Sequence, residues 1–194
     1  DTDKNITLSV IIFPKFLPVH KQFALNQITS LAVRTLLSQH SSKPVKVKWP
    51  NDIYIGPKKA AGILIQNSLS GKKIAATVIG IGINVNQDGF SSTLPQATSL
   101  KIETNQNYDL NNLIPDLCFY LENRYLQLKN GQYRNINQDY LDCLYKYQEA
   151  AFFKRPDGQT FMGIIQGVSS YGKLIIEHPH GLEEFDLKEI SFVP

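Results

Sequence analysis

The sequence predicts an α/β (α+β) protein: a mixed β-sheet flanked by helices over residues 1–147, then a small β-barrel over residues 148–194. Three observations predict it. Apolar residues alternate with a period of two in several segments and recur at helical spacing in others, the signatures of half-buried strands and of helices packed on them. After about Gln148 the texture changes to short strands separated by Pro/Gly turn signals. A chain of 194 residues, 42% hydrophobic and 19% charged, can bury one good core and carry a small appended unit.

From Asn5 to Phe13 the set Ile6, Leu8, Val10 and Ile12 falls on one side of a strand that Pro14 and Pro18 stop. Over Val19–His40, Leu25, Ile28, Ala32 and Leu36, widened by Val33 and Leu37, form the stripe of an amphipathic helix. Val45–Lys48 reads as a strand, Asn51-Asp52 as a turn, Ile53–Ile55 as a strand and Gly56-Pro57 as a second turn. Lys59–Asn67 and Lys73–Asn84 read as strands joined around Ser70-Gly71, rich in Ile, Val and Ala as central strands are. Residues 85–107 show no period and read as loop. Leu110, Leu113, Leu117, Leu121 and Leu128 mark a second helix, and Tyr140, Leu141, Leu144 and Tyr145 a third. Met162–Val168, Leu174–Glu177 and Ile190–Val193, with turns at Pro156-Asp157-Gly158, Tyr171-Gly172 and His178-Pro179-His180-Gly181, would make a barrel of SH3-like size. Tyr133, Tyr140, Tyr145 and Tyr147 are expected to pack between the two units.

The net charge, +3 from 20 basic and 17 acidic residues, lacks the concentrated basic footprint of a nucleic-acid binder. Lys43, Lys46, Lys48, Lys58 and Lys59 form a local basic stretch better suited to a small anion. Cys118 and Cys143 lack the close spacings of a metal site and are expected to be buried thiols in a reducing compartment. With no signal segment and no membrane span, the expected location is cytoplasmic. The chain starts at Asp1 and its only methionine is Met162, so a preceding segment is expected.

Chemistry concentrates in three segments: Lys48-Trp49-Pro50-Asn51-Asp52, Lys59-Ala60-Ala61-Gly62-Ile63-Leu64 and Gly80-Ile81-Gly82-Ile83-Asn84. Glycine within a strand marks close approach by a ligand or another backbone, so Gly62, Gly80 and Gly82 suggest a flat wall for a ring system. Asn51 and Asn84 offer amides, Lys59 a compact cation, and Asp52 a hard oxygen suited to magnesium. Gly80-Ile81-Gly82 is not half of a dinucleotide fingerprint, because Val85 holds the third glycine position and an Asn-rich loop follows where a helix should begin.

Those three segments in that order, with Asn5-Ile6-Thr7-Leu8-Ser9 before them and Lys188-Glu189-Ile190-Ser191 after, resemble the biotin protein ligase family over nearly the whole chain. The resemblance implies a class II aminoacyl-tRNA synthetase/biotin ligase-like fold with an SH3-like carboxy-terminal domain. It also implies a two-step reaction. The biotin carboxylate attacks the α-phosphorus of ATP to give biotinyl-adenylate, and a lysine amine of a biotin carboxyl carrier protein domain then displaces AMP. Carried over by residue, Lys59 is the central lysine, catalytic and in contact with both biotin and nucleotide. Gly62 and Gly80 line biotin, Asn51 and Asn84 contact the nucleotide, and Asp52 is a candidate Mg contact. Trp49 and Pro50 shape the turn. Two anions about 4 Å apart repel by about 4 kcal/mol at the effective dielectric of a protein site, and a fixed ammonium reverses that cost.

The family's glycine-arginine loop has no counterpart here and is expected upstream of Asp1, so this stretch alone is expected to turn over poorly. An amino-terminal DNA-binding domain would also lie there, and a homodimer stays open. Two other readings are a lipoate-type protein ligase using the same adenylate chemistry, and a non-catalytic biotin or adenylate sensor.

Overall fold

The computed structural model describes residues 4–193; residues 1–3 and 194, the outer ends of the two predicted units, lie outside the described residues. Strands β1 (Ile6–Ile12), β2 (Val45–Lys48), β3 (Asp52–Ile55), β4 (Lys58–Ser70) and β5 (Lys73–Ile83) form the first sheet. Its order is β1-β5-β4-β3-β2. Every strand pairing in it is antiparallel, which corrects the mixed sheet expected from sequence. The reason is local: β2 to β5 follow one another through tight turns, and a tight turn can only return a chain antiparallel.

Helix α1 (Phe23–His40) links β1 to β2 and packs on β2, β3 and β4, with α3 (Leu110–Lys129) and α4 (Tyr133–Asp142) packed against it. The stripe residues of α1 named above are all buried. The helices therefore cover one face of the sheet and leave the other open. Along β1 the core-facing residues are Ile6, Leu8, Val10 and Ile12, so Thr7, Ser9 and Ile11 face outward.

Three expectations need correction. The stretch 85–107 holds a short helix, α2 (Leu100–Thr104), capped by the Ser99 hydroxyl accepting from Ile102 N at 3.1 Å. Five residues are too few for helical spacing to register. Leu144 and Tyr145 lie beyond α4 and bond to the edge of β2, with Val47 N donating to Cys143 O and Tyr145 N to Val47 O, each at 2.8 Å. Cys143 is buried, which pushes its thiol up to about 11, whereas Cys118 is exposed because it sits off the leucine stripe of α3.

The second sheet comprises β6 (Ala150–Lys154), β7 (Thr160–Val168), β8 (Leu174–His178), β9 (Gly181–Phe185) and β10 (Ser191–Phe192). It is antiparallel in the order β10-β6-β7-β8-β9, with the expected turn at Pro179-His180. Strands β6 and β9 were not expected. One hydrophobic core runs from α1 and the first sheet into Phe153, Ile165, Leu174, Ile176 and Phe185 of the second. The expected aromatic junction is present in part: the Tyr145 ring meets Phe192 at 5.9 Å and Tyr54 at 5.7 Å.

Tyr140 is instead a core residue, fully buried, edge-on to Phe23 at 5.8 Å. Its hydroxyl finds no hydrogen-bond partner among the described residues, and burial pushes its ionisation well above the ordinary phenol range. Removing an unsatisfied buried group recovers its desolvation penalty, so Tyr140→Phe should hold or raise stability by about 1 kcal/mol. A urea midpoint that falls instead would reveal a partner for that hydroxyl.

Candidate functional site

The open face of the first sheet carries a trough. Across it Thr7, Gly82, Gly62 and Asp52 stand in one row, and Ser9, Gly80 and Leu64 in the next. Three central positions have no side chain, while Thr7 and Ser9 wall one side and Asp52, Lys59 and Leu64 the other. None of the three glycines has a left-handed φ. Among the described residues a Cβ would meet Leu64 at 3.6 Å over Gly80, Gly62 O at 3.9 Å over Gly82, and the Lys59 and Asp52 side chains at 3.5 and 3.7 Å over Gly62, all ordinary contacts. The fold would accept side chains there, so the glycines keep space above the sheet.

Lys59 reaches this face through a β-bulge. Tyr54 pairs with Lys59 and Ile53 with Ala61, which leaves Ala60 without a partner on β3. Ala60 and Ala61 are both buried on the helix side, so Lys59 and Gly62, three positions apart, share the open face. In a regular strand an odd spacing would put them on opposite faces. The Lys59 ammonium lies 2.5 Å from Asp52 Oδ1 and above Gly62, whose Cβ would be 3.5 Å from Lys59 Nζ.

Asp52 is the first residue of β3 rather than part of the turn, which comprises Trp49, Pro50 and Asn51. Asn51 fixes that turn to β4: its Nδ2 donates to Ile63 O at 2.6 Å, and its carbonyl accepts from Ile63 N at 3.0 Å. Asn84 holds the loop beyond β5, donating from Nδ2 to Thr98 O at 3.0 Å. That loop takes over where β5 ends, with Lys59 N donating to Gln96 O and Thr98 N to Lys59 O. The fold thus brings the six residues singled out in the sequence to one trough, with Asn51 and Asn84 engaged in framing it.

Two adjoining cavities occupy the trough. One, of about 370 Å³, is lined by Ser9, Asn51, Asp52, Leu64 and Gly80. The other, of about 460 Å³, runs past Asn84 to Phe90, Leu94 and Ala97. Thr7, Lys59, Gly62 and Gly82 line both. Thr7 and Ser9 were missed in the sequence, although hydroxyls on the exposed phase of an apolar strand are a visible signal. Lys48, on the same face, donates to Tyr54 OH at 3.2 Å and lies over the Tyr54 and Phe192 rings. Burial pulls its ammonium below the ordinary lysine range and, with the charge of Asp52, pushes the Tyr54 phenol up.

The Asn84 loop has an acid-sensitive latch. Burial raises the Glu103 carboxyl, but hydrogen bonds from Lys43 and Thr98, each at 2.6 Å, outweigh this and hold it below the usual carboxylate range. A depressed folded-state value contributes stability above the unfolded value of about 4.3 and loses it as pH falls through the folded one. Amide protection at Thr98 and Leu100 should therefore fall below about pH 4. Glu103→Gln should remove most of that pH dependence. An unchanged profile would assign it to Asp88 of the same loop, which pairs with Lys101 of α2 and with Lys4 just before β1.

Among the described residues no group of three or more His, Cys, Asp or Glu could hold a metal ion, and no helix is long and apolar enough to cross a membrane.

Residues 1–84 match the sequence profile of the Biotin/lipoate A/B protein ligase family. The chain is 29% identical over 193 residues to the bifunctional ligase/repressor BirA of Bacillus spizizenii, covering 96% of this chain and 58% of that protein. It is 27% identical over 150 residues to the biotin--[acetyl-CoA-carboxylase] ligase of Paracoccus denitrificans, covering 75% of this chain and 62% of that one. It thus spans about three-fifths of the length of these relatives. Its fold matches the biotin protein ligase of Aquifex aeolicus, solved in complex with biotin and ATP, with a TM-score of 0.78 at 24% identity over 98% of this chain and 78% of that one. The segments that carry the three motifs thus lie within a stretch that resembles the biotin/lipoate A/B protein ligase family, and the chain as a whole has the fold of a biotin protein ligase.

Proposed function

We propose that the trough activates biotin as its adenylate and that the protein passes it to a lysine of a biotin carboxyl carrier protein domain. The observation that carries this reading is Asp52 at the Lys59 ammonium, above glycines that leave the sheet bare. A carboxylate of the protein occupies the place at Lys59 that the acid substrate would take. In the first step a biotin carboxylate oxygen bonds to the α-phosphorus of ATP and pyrophosphate leaves. In the second the amine nitrogen bonds to the acyl carbon, AMP leaves and the amine gives up a proton. Lys59 screens both anions as they meet and stabilises charge growing on the α-phosphate.

Gly62 and Gly80, with Gly82 and the exposed Leu64 beside them, suit a flat apolar ring. Asn51 and Asn84 frame the nucleotide side; with their Nδ2 groups engaged, their side-chain oxygens are left as acceptors. Magnesium is commonly held by one or two carboxylates together with substrate phosphates, so the lone Asp52 fits an ion carried mainly by ATP. We read residues 4–147 as the catalytic unit, class II aminoacyl-tRNA synthetase/biotin ligase-like, and 148–193 as an SH3-like unit; the change of sheet near residue 148 supports this. The chemistry suits the cytoplasm, where ATP and carrier proteins meet.

The test is exchange of labelled pyrophosphate into ATP by the full protein, with biotin or lipoate as the acid. Exchange with biotin alone is expected. Exchange with lipoate alone would make the protein a lipoate ligase, and biotin binding without exchange would make it a sensor.

A further inference from the structure

We propose that the second sheet positions the site: its β7–β8 turn, clamped by Trp49 and Phe23, sets the turn that delivers Asp52 to Lys59. The consequence for ligand rests on the reading just given, whereas the positioning itself does not.

Trp49, the chain's only tryptophan, is 5% exposed, and its indole Nε1 donates to Gly172 O at 2.8 Å across 123 positions of sequence. Gly172 has φ +90°, and a Cβ there would lie 2.5 and 2.8 Å from Phe23 ring atoms. That contact leaves no room for a side chain and seats the turn on the first residue of α1. The turn is stiff in itself: Gly172 N donates to Ser169 O at 2.9 Å and Lys173 N to Ser169 Oγ at 3.2 Å. Trp49 is thus pinned to a feature that cannot slide.

What Trp49 begins, Asp52 ends. Only Pro50 and Asn51 lie between, and Asn51 is tied to Ile63 by the two bonds described above, beside Gly62. The turn therefore hangs from two anchors, the indole on the second sheet and Asn51 on β4. A second grip acts on the same strand end, where Lys48 lies over Phe192 at 5.1 Å. Releasing the indole should let the turn and the Asp52 carboxylate drift relative to Lys59, while β4 and β5 keep their register. Trp49 is in this sense a positioning residue, acting on Lys59 through Asp52.

The test uses Trp49→Phe, which keeps an aromatic ring and removes the donor, and Gly172→Val, which forces the turn off Phe23. Exchange of the Ile63 amide, which bonds to Asn51 O, should quicken by about fivefold in both variants, as expected for loss of one neutral hydrogen bond. Interior amides of α1 should not change. Tryptophan emission of Gly172→Val should shift to the red as the indole loses its cover, and biotin should bind about fivefold more weakly to each variant. Unchanged Ile63 exchange, or an equal rise at Ile63 and in α1 as general destabilisation would give, overturns the proposal. Should the wild-type protein fail to bind biotin, the functional reading falls, and Ile63 exchange still decides this one. If Gly172→Val does not fold, Trp49→Phe decides alone.

Discussion

Lys59→Ala is expected to slow biotin-dependent adenylate formation by about a hundredfold, the loss typical when one preorganised charge-stabilising group is removed. The substitution leaves Asp52 without its partner, but both side chains are partly exposed, so water can solvate the carboxylate and the fold should persist. Lys59→Arg should recover only part of the rate. A planar guanidinium needs a wider seat than the space over Gly62, where a Cβ would already touch Lys59 Nζ at 3.5 Å. Pyrophosphate exchange under saturating ATP and biotin measures the effect directly. A rate for the alanine variant within about threefold of wild type would remove Lys59 from the chemistry.

Gly82→Val should abolish useful binding while leaving the protein as stable as before, or more so. Valine suits a strand better than glycine, and among the described residues the only atom near its Cβ is Gly62 O at 3.9 Å. Its methyl groups would enter the volume shared by the two cavities and crowd any ring laid on the trough, at a cost of about 3 kcal/mol, or more than a hundredfold in affinity. Calorimetric titration with biotin alongside a thermal melt separates the two effects. Weaker binding with a collapsed melting temperature would mean that the glycine serves the fold. Retained affinity would mean that ligand lies elsewhere.

The sequence made the trough visible through residue type, since glycines inside apolar strands and a lysine just upstream of one are local signals. It could not show how those residues face. Counting by twos from Gly62 puts Lys59 on the helix side, and only the bulge at Ala60 corrects this. Nor could it show that Asn51 and Asn84 hold backbone, because Ile63 and Thr98 come to them through pairings 12 and 14 positions distant. Strands β6 and β9 escaped for a related reason: Phe153 is the only fully inward residue of Ala150–Lys154 and Phe185 of Gly181–Phe185, too few to set an alternation. Leu144 and Tyr145 carried an apolar signal that was real, but their burial comes from pairing beside β2 and not from a helix. The β1 alternation and the α1 stripe were legible because each stands on a period repeated several times.

The bulge at Ala60 makes the pairing of Lys59-Ala60-Ala61-Gly62 with β3 as important as its composition. Drawing Ala60 into the pairing with β3 would leave every chemical group in the chain and restore a perfect pleat, yet it would turn the ammonium from the wet side of the sheet to the oily one. One slipped pairing thus separates a shelf that gathers acids from one that does not, and no substitution table would register the difference.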